Sequence, residues 1–221
     1  MRLLHAIAFI VLPTMLFSQT EGEARGPRQI ENKYAIKFTP TQLIMGELNL
    51  GVEFKVAKKA SMDIELGPTL SYVGLGGRTK DDFDDTESSV TKEGSFGYFA
   101  ALGFRYYPFE RTQALTRFYV QPQLKYRVYN TWWDDESGVW DPILSKNTQY
   151  KFFFNVGWQL WASKSFGFDF YLGGGLGYRQ TASYTPLTTY DGTQFNYIWD
   201  EKRVNTPQLL LNCGIKVAIG G

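Results

Sequence analysis

The amino-acid sequence predicts an all-β fold, an eight-stranded antiparallel up-and-down barrel that crosses a membrane on its strands. Three observations lead there: apolar and polar residues alternate in eight separate segments, 17% aromatic residues stand beside 22 glycines, and mean hydropathy is −0.27 in spite of them. Aromatics interleaved with polar residues suit a sheet with two unlike faces, because successive side chains on a strand point to opposite sides.

The chain opens with Arg2 and an apolar run from Leu3 to Phe17, broken by His5, Pro13 and Thr14, before Ser18-Gln19. This reads as a secretory signal peptide, residues 1 to 18, cut after Ser18. The run is shorter than the roughly 20 apolar residues of a spanning helix, and no Cys follows it to carry a lipid anchor. Residues 19 to 32 are then expected as a short periplasmic segment and 33 to 221 as the barrel. Past the leader no apolar stretch reaches the length of a spanning helix, so strands would have to do the crossing.

From Lys33, Tyr34, Ile36 and Phe38 alternate with Lys37 and Thr39. A second segment sets Leu48, Leu50, Val52, Phe54 and Val56 against Asn49, Gly51, Glu53 and Lys55. In the third, Met62, Ile64, Leu66, Pro68, Leu70 and Tyr72 oppose Ser61, Asp63, Glu65, Gly67, Thr69 and Ser71. A slip of one residue there would put two carboxylates on the apolar side. The fourth, Ser95 to Tyr106, has Arg105 on its polar face, and the fifth, Phe118 to Val128, has Lys125 and Arg127. The sixth runs from Lys151 to Leu160, and the seventh from Phe166 to Arg179 with Asp169 on the polar face. The eighth, Leu209 to Val217, carries Lys216 there.

Connectors sort by length. Ala57 to Ala60, Pro108 to Thr116 and Ala162 to Ser165 are short, whereas Thr79 to Glu93, Trp132 to Thr148 and Thr181 to Asn205 are long. Short periplasmic turns alternating with long extracellular loops are the habit of outer-membrane barrels, with both termini periplasmic. The first outer connector, Pro40 to Gly46, breaks the pattern: it is short, and Leu43, Ile44 and Met45 make it apolar.

A soluble barrel would turn its apolar face inward. Here the polar face holds too many charges of both signs to meet that rule from outside. Glu53, Lys55, Asp63, Glu65, Arg105, Lys125, Arg127, Asp169, Arg179 and Lys216 are expected to form an ion-pair network across a narrow lumen. Glycines beside them leave room for Phe99, Tyr119, Phe153 and Tyr171, and a lumen filled this way is no open pore. Tyr34, Tyr72, Tyr106, Tyr126, Trp158 and Tyr178, near strand ends, are expected in interfacial girdles.

In this pattern, from about Lys33 to Ile219, the chain resembles the small eight-stranded outer-membrane barrel proteins typified by the OmpA transmembrane domain and OmpX. It departs from many of them at its end, Ile219-Gly220-Gly221, where they carry an aromatic residue. The resemblance implies the outer membrane of a Gram-negative cell as location, with membrane lipid and the barrel insertion machinery as partners.

The only histidine is His5, inside the leader. Barrel hydrolases use a histidine as base or orienting group, and serine without a base is a poor nucleophile, so no enzyme is expected. Asp63 and Glu65 fit ion pairing better than acid-base work. The run Gly173 to Gly177 lacks the lysine and helix of a phosphate loop. Asp81, Asp82, Asp84, Asp85 and Glu87 lack the spacing of a calcium loop, so no metal or cofactor is expected. Without its leader the chain carries 22 basic and 22 acidic residues, which gives nucleic acid no basic stripe to follow.

Trp132, Trp133 and Trp140 lie close to Asp134, Asp135, Glu136 and Asp141, and the last long connector holds Tyr190, Tyr197 and Trp199. Such aromatics suit contacts to an extracellular glycan or protein. A structural or surface-interaction role is therefore expected first. A narrow channel or transport accessory comes second, and a lipid-modifying enzyme third.

Overall fold

A computed structural model describes residues 32–70, 90–109, 114–135 and 141–221, without the side chains of 90–95, 133–135 and 197. The strands are β1 (Tyr34–Thr39), β2 (Asn49–Ala57), β3 (Ala60–Thr69), β4 (Val90–Tyr106), β5 (Arg117–Asp135), β6 (Ile143–Trp161), β7 (Phe166–Tyr190) and β8 (Phe195–Gly220). Each pairs antiparallel with the next and β8 returns to β1, so the sheet closes into a ring. Closure satisfies backbone groups that an open sheet would leave bare at its edges.

The alternation read from the sequence sorts the two faces as expected. Lys37, Glu53, Asp63, Arg105, Asp169 and Lys216 point inward and are buried, whereas Ile36, Leu50, Ile64, Leu102, Leu124, Leu172 and Leu211 stay exposed on the outer wall. Phe99, Tyr119, Phe153 and Tyr171, the interior aromatics expected from the sequence, each face a glycine. A Cβ on Gly157 would lie 2.3 Å from Tyr119, on Gly175 2.7 Å from Phe153, on Gly67 2.9 Å from Phe99 and on Gly214 2.5 Å from the Tyr171 hydroxyl. Small residues opposite large ones let one narrow lumen take all four rings.

Both ends of the ring depart from the sequence reading. Where they are described, the long connectors are mostly strand: β4 begins at Val90, β5 runs to Asp135, β6 resumes at Ile143, and β7 and β8 continue to a turn at Asp191–Gln194. Thr, Tyr and Val favour extended backbone. A hairpin wet on both faces, however, has no apolar alternation to betray it. Pro186 and Pro207 fit because β6 pairs with β7 only up to Gln180, and β1 with β8 only from Val217. Above those points neither β7 nor β8 has a second partner strand among the described residues, so the missing N–H of proline costs no ladder bond there. The turn is held by the Asp191 carboxylate, which accepts from the N–H groups of Thr193 and Gln194 at 2.9 and 3.0 Å.

The apolar connector also has an explanation. Pro40–Met45 is a 3₁₀ helix that stops at Gly46, whose φ of 71° lies in the left-handed region. The Thr41 hydroxyl accepts from the Ile215 N–H at 3.2 Å, so the helix covers the edge of β8 just where β1 has ended. Ile44 and Met45 then face outward and prolong the apolar wall across the gap.

At the opposite end, where the turns are short, Tyr107, Ala114 and Tyr119 form a buried cluster. Leu115 is buried beside them at a positive φ of 70°, and its carbonyl accepts from the Trp161 indole. This end is called lower below, and the end of the long hairpins upper.

Candidate functional site

Two groups of charged side chains fill the interior. In the lower group Arg105, on β4, donates to Glu53 at 3.1 Å, to Asp63 at 2.9 Å and to Asp169 at 2.7 Å. Lys37 pairs with Asp169 at 2.6 Å and with Glu53, while Lys216 joins Asp63 at 3.0 Å and Glu65. Neutral donors take further lone pairs: Tyr119 gives its hydroxyl proton to Asp169 at 2.6 Å, Tyr107 to Glu53 at 2.7 Å, and Gln121 its amide to Asp63 at 3.1 Å. The strands that carry these residues surround the lumen, so the cluster ties opposite walls together. Three cations face four carboxylates, and hydrogen bonds from tyrosine, serine and amide groups share the remaining charge.

The upper group is built differently. Glu47, which precedes β2, pairs with Lys125 and, at 3.2 Å, with Arg127. Lys151 and Arg179 belong to the same level of the ring by register. Between the groups lies a polar cavity of about 10 Å³, lined by Gln42, Glu65, Gln121, Gln123, Lys125, Asn155, Tyr171, Asn212 and Lys216. That is room for about one water molecule.

Of the expected network residues, Glu53, Asp63, Glu65, Arg105, Asp169 and Lys216 are joined as one cluster, and Lys125 and Arg127 form a second. Lys55 does not lie in the closed interior: it is exposed near the lower end of β2, opposite Ser61. Arg179 lies in the upper level, 5.8 Å from the centroid of the Tyr129 ring and in register with Gln149. Alternation placed Lys37 and Lys151 on the polar face without revealing their partners, and Glu47 and Tyr107 lie outside any alternating segment. Only the ring closure brings these four to the lumen.

Of the aromatic residues expected on loops, Trp132, Trp133, Tyr190, Tyr197 and Trp199 stand on strands. Trp132 is exposed on β5, and Tyr190 closes β7, its ring 5.0 Å from that of Phe195. Trp199, on β8, is half-buried and donates its indole N–H to the Asp141 carbonyl at 2.9 Å. The side chains of Trp133 and Tyr197, the whole of Trp140, and the acidic run Asp81 to Glu87 lie outside the described residues. The same holds for Tyr72.

The outer wall carries two aromatic rows. Phe118, Trp158 and Phe170 are level on β5, β6 and β7, and Tyr126, Tyr150 and Tyr178 are level on the same three strands. Tyr98 extends the second row, with its ring 6.2 Å from Tyr126, which in turn lies 5.3 Å from Tyr150. Between the rows the outward positions on these strands are Val120, Pro122, Leu124, Phe152, Phe154, Val156, Leu172, Gly174 and Leu176. None is charged or hydrogen-bonds through its side chain. No family model, curated protein or solved structure matches this chain.

Proposed function

We propose that the chain is an outer-membrane β-barrel without an open pore, exported by its leader and acting through the hairpins that project from its upper end. The observation that carries the reading is the inverted ring itself: charges buried inside, and an uncharged apolar wall bounded by two aromatic rows outside. The rows stand eight positions apart on each of three strands. That is roughly 27 Å of strand, or about 20 Å after a tilt of roughly 40°, close to the height of the apolar band of such barrels. Tyrosine and tryptophan favour the headgroup level at both edges of a bilayer. In water the same wall would drive aggregation.

The lower cluster supports the absence of a pore, since ion-paired side chains meet across the lumen. Above the upper tyrosine row, β7 runs from Tyr178 to Tyr190 and stays paired with β8 throughout. A paired ribbon presents Tyr190, Phe195 and Leu187 at lower entropy cost than a loose loop. Together with Trp132 these suit an extracellular glycan or protein as the contact.

Electrophoresis in SDS with and without boiling tests the architecture, because a closed barrel resists unfolding until heated. Protein from purified outer membranes is expected to run as two different bands; one unshifted band, or recovery in the soluble fraction, contradicts it. Planar-bilayer recording separates the narrow-channel reading: steady conductance by the wild-type chain would replace the present one.

A further inference from the structure

The two ends of the ring differ in charge on their outsides. The short connectors of the lower end, Ala57 to Ala60, Pro108 to Thr116 and Ala162 to Ser165, hold four basic residues and one acidic. The long connectors of the upper end, Thr79 to Glu93, Trp132 to Thr148 and Thr181 to Asn205, hold 5 basic and 13 acidic. At the lower rim Lys33, Lys55, Lys58, Arg117 and Lys164 are exposed and Lys59 is half-buried. Among the described residues none of these six enters an ion pair. Residues 19–31 and 110–113, outside the described ones, contain four acidic and three basic residues, too few acids to answer six cations besides their own three.

The backbone beneath these side chains is held. The Lys33 carbonyl accepts from the Lys55 N–H at 2.9 Å, the Lys58 carbonyl from Ala114 at 2.9 Å and the Lys59 carbonyl from Tyr107 at 3.0 Å. The Lys164 carbonyl accepts from the Asn32 amide at 3.1 Å, and Arg117 pairs in register with Gln159. The Gly221 oxygen at this end is taken by the N–H groups of Lys33 and Tyr34, at 2.8 and 3.3 Å. Neighbouring turns thus brace one another, and the cations rise from fixed positions around the rim.

Their level says what they meet. Arg117 adjoins Phe118 of the lower aromatic row, and Lys164 lies in the turn that joins β6 and β7 below Trp158 and Phe170. If that row marks the edge of the hydrocarbon, the cations stand at the depth of the headgroup phosphates. Basic side chains near a membrane surface are drawn to anionic lipid, and a lysine stem can lie along the apolar wall while its ammonium reaches outward.

We propose that the lower rim binds anionic phospholipid headgroups, an inference that rests on the membrane reading given above. Headgroups surround a barrel at one depth, so they suit six cations spread around a rim better than one compact anion does. Arg117 can hold a phosphate through two parallel N–H donors, and the lysines act as point charges.

The test uses the refolded mature chain in detergent, with bound lipids counted by native mass spectrometry. Phosphatidylglycerol is compared with phosphatidylcholine, and heparin serves as a soluble polyanion. The wild-type chain is expected to bind phosphatidylglycerol with an apparent Kd about 10-fold or more below that for phosphatidylcholine. The triple variant Lys33→Gln, Lys58→Gln, Lys164→Gln keeps the backbone bonds and is expected to lose most of that preference. A control with Lys146→Gln and Lys202→Gln, exposed cations of the upper end, is expected to retain it. Equal binding of the two lipids, a preference that survives the triple variant, or one lost as fully in the control overturns the proposal. Heparin binding without any lipid preference overturns it too, and assigns the rim to a soluble anionic partner. The heat-dependent gel shift is read on the same samples: a missing shift in the wild type overturns the membrane barrel along with this inference, whereas equal lipid binding by a chain that still shifts overturns this inference alone.

Discussion

The lower and upper halves of the lumen are built from the same residue types and differ in arrangement. Below, Arg105 touches three carboxylates, Lys37 and Lys216 two each, and tyrosine and amide donors take further lone pairs. Above, Lys125 and Lys151 stand opposite each other on neighbouring strands, and Glu47 pairs with Lys125 and Arg127. Matched charge ties the walls of the ring together, whereas like charges set opposite each other on paired strands do not. Neither arrangement can be inferred from a count of charged residues. It depends on which strands closure makes neighbours.

Breaking the lower half should have the largest effect. Arg105→Met leaves Glu53, Asp63 and Asp169 with two ammonium groups between them, and losing one partner of a buried pair costs about 3–5 kcal/mol. Denaturant unfolding of the refolded variant should show a loss of that order; a variant as stable as wild type would mean the cluster contributes only bulk. Next comes packing. A side chain at Gly157 meets the Tyr119 ring, whose hydroxyl serves Asp169, so Gly157→Val is expected to lose about 1–3 kcal/mol by overpacking.

The smallest effect belongs to the tip of the long hairpin. Hydrogen bonds from the Thr193 hydroxyl, and from the N–H groups of Gln194 and Thr193, hold the Asp191 carboxyl well below the usual carboxylate range. A depressed value in the folded hairpin means that the turn gains stability above the unfolded value of about 3.9 and loses it as pH falls towards the folded one. Amide exchange at Gln194 should therefore stay protected from neutral pH down to about 4 and lose protection progressively below. Equal protection at pH 7 and pH 2 would show that the backbone alone holds the turn.

Much of the ring was legible in the sequence because outward-facing and lumen-facing residues obey a strict period of two. Met62 to Leu70 against Ser61 to Thr69 fixes a register that no slip improves, and the pairing of glycines with Phe99, Tyr119, Phe153 and Tyr171 follows from volume alone. The hairpins were not legible, since Thr181 to Asn205 mixes polar and apolar residues without strict alternation and only its strand propensity speaks for it. Glu47 was hidden for another reason: a 3₁₀ helix turns it inward, and helices this short leave little trace in hydropathy. The two aromatic rows needed register. Phe118, Trp158 and Phe170 lie far apart in the chain and become level only once β5, β6 and β7 are aligned.

The most direct test of the inverted barrel uses the chain's lone cysteine. Cys213 is exposed on the outer wall of β8 and pairs in register with Leu172, between the two aromatic rows. In native outer membranes at pH 8 a lipid-soluble maleimide is expected to label it, while a charged, water-soluble maleimide labels it only after denaturation. Rapid labelling of the folded protein by the charged reagent would place this wall in water and contradict the membrane barrel.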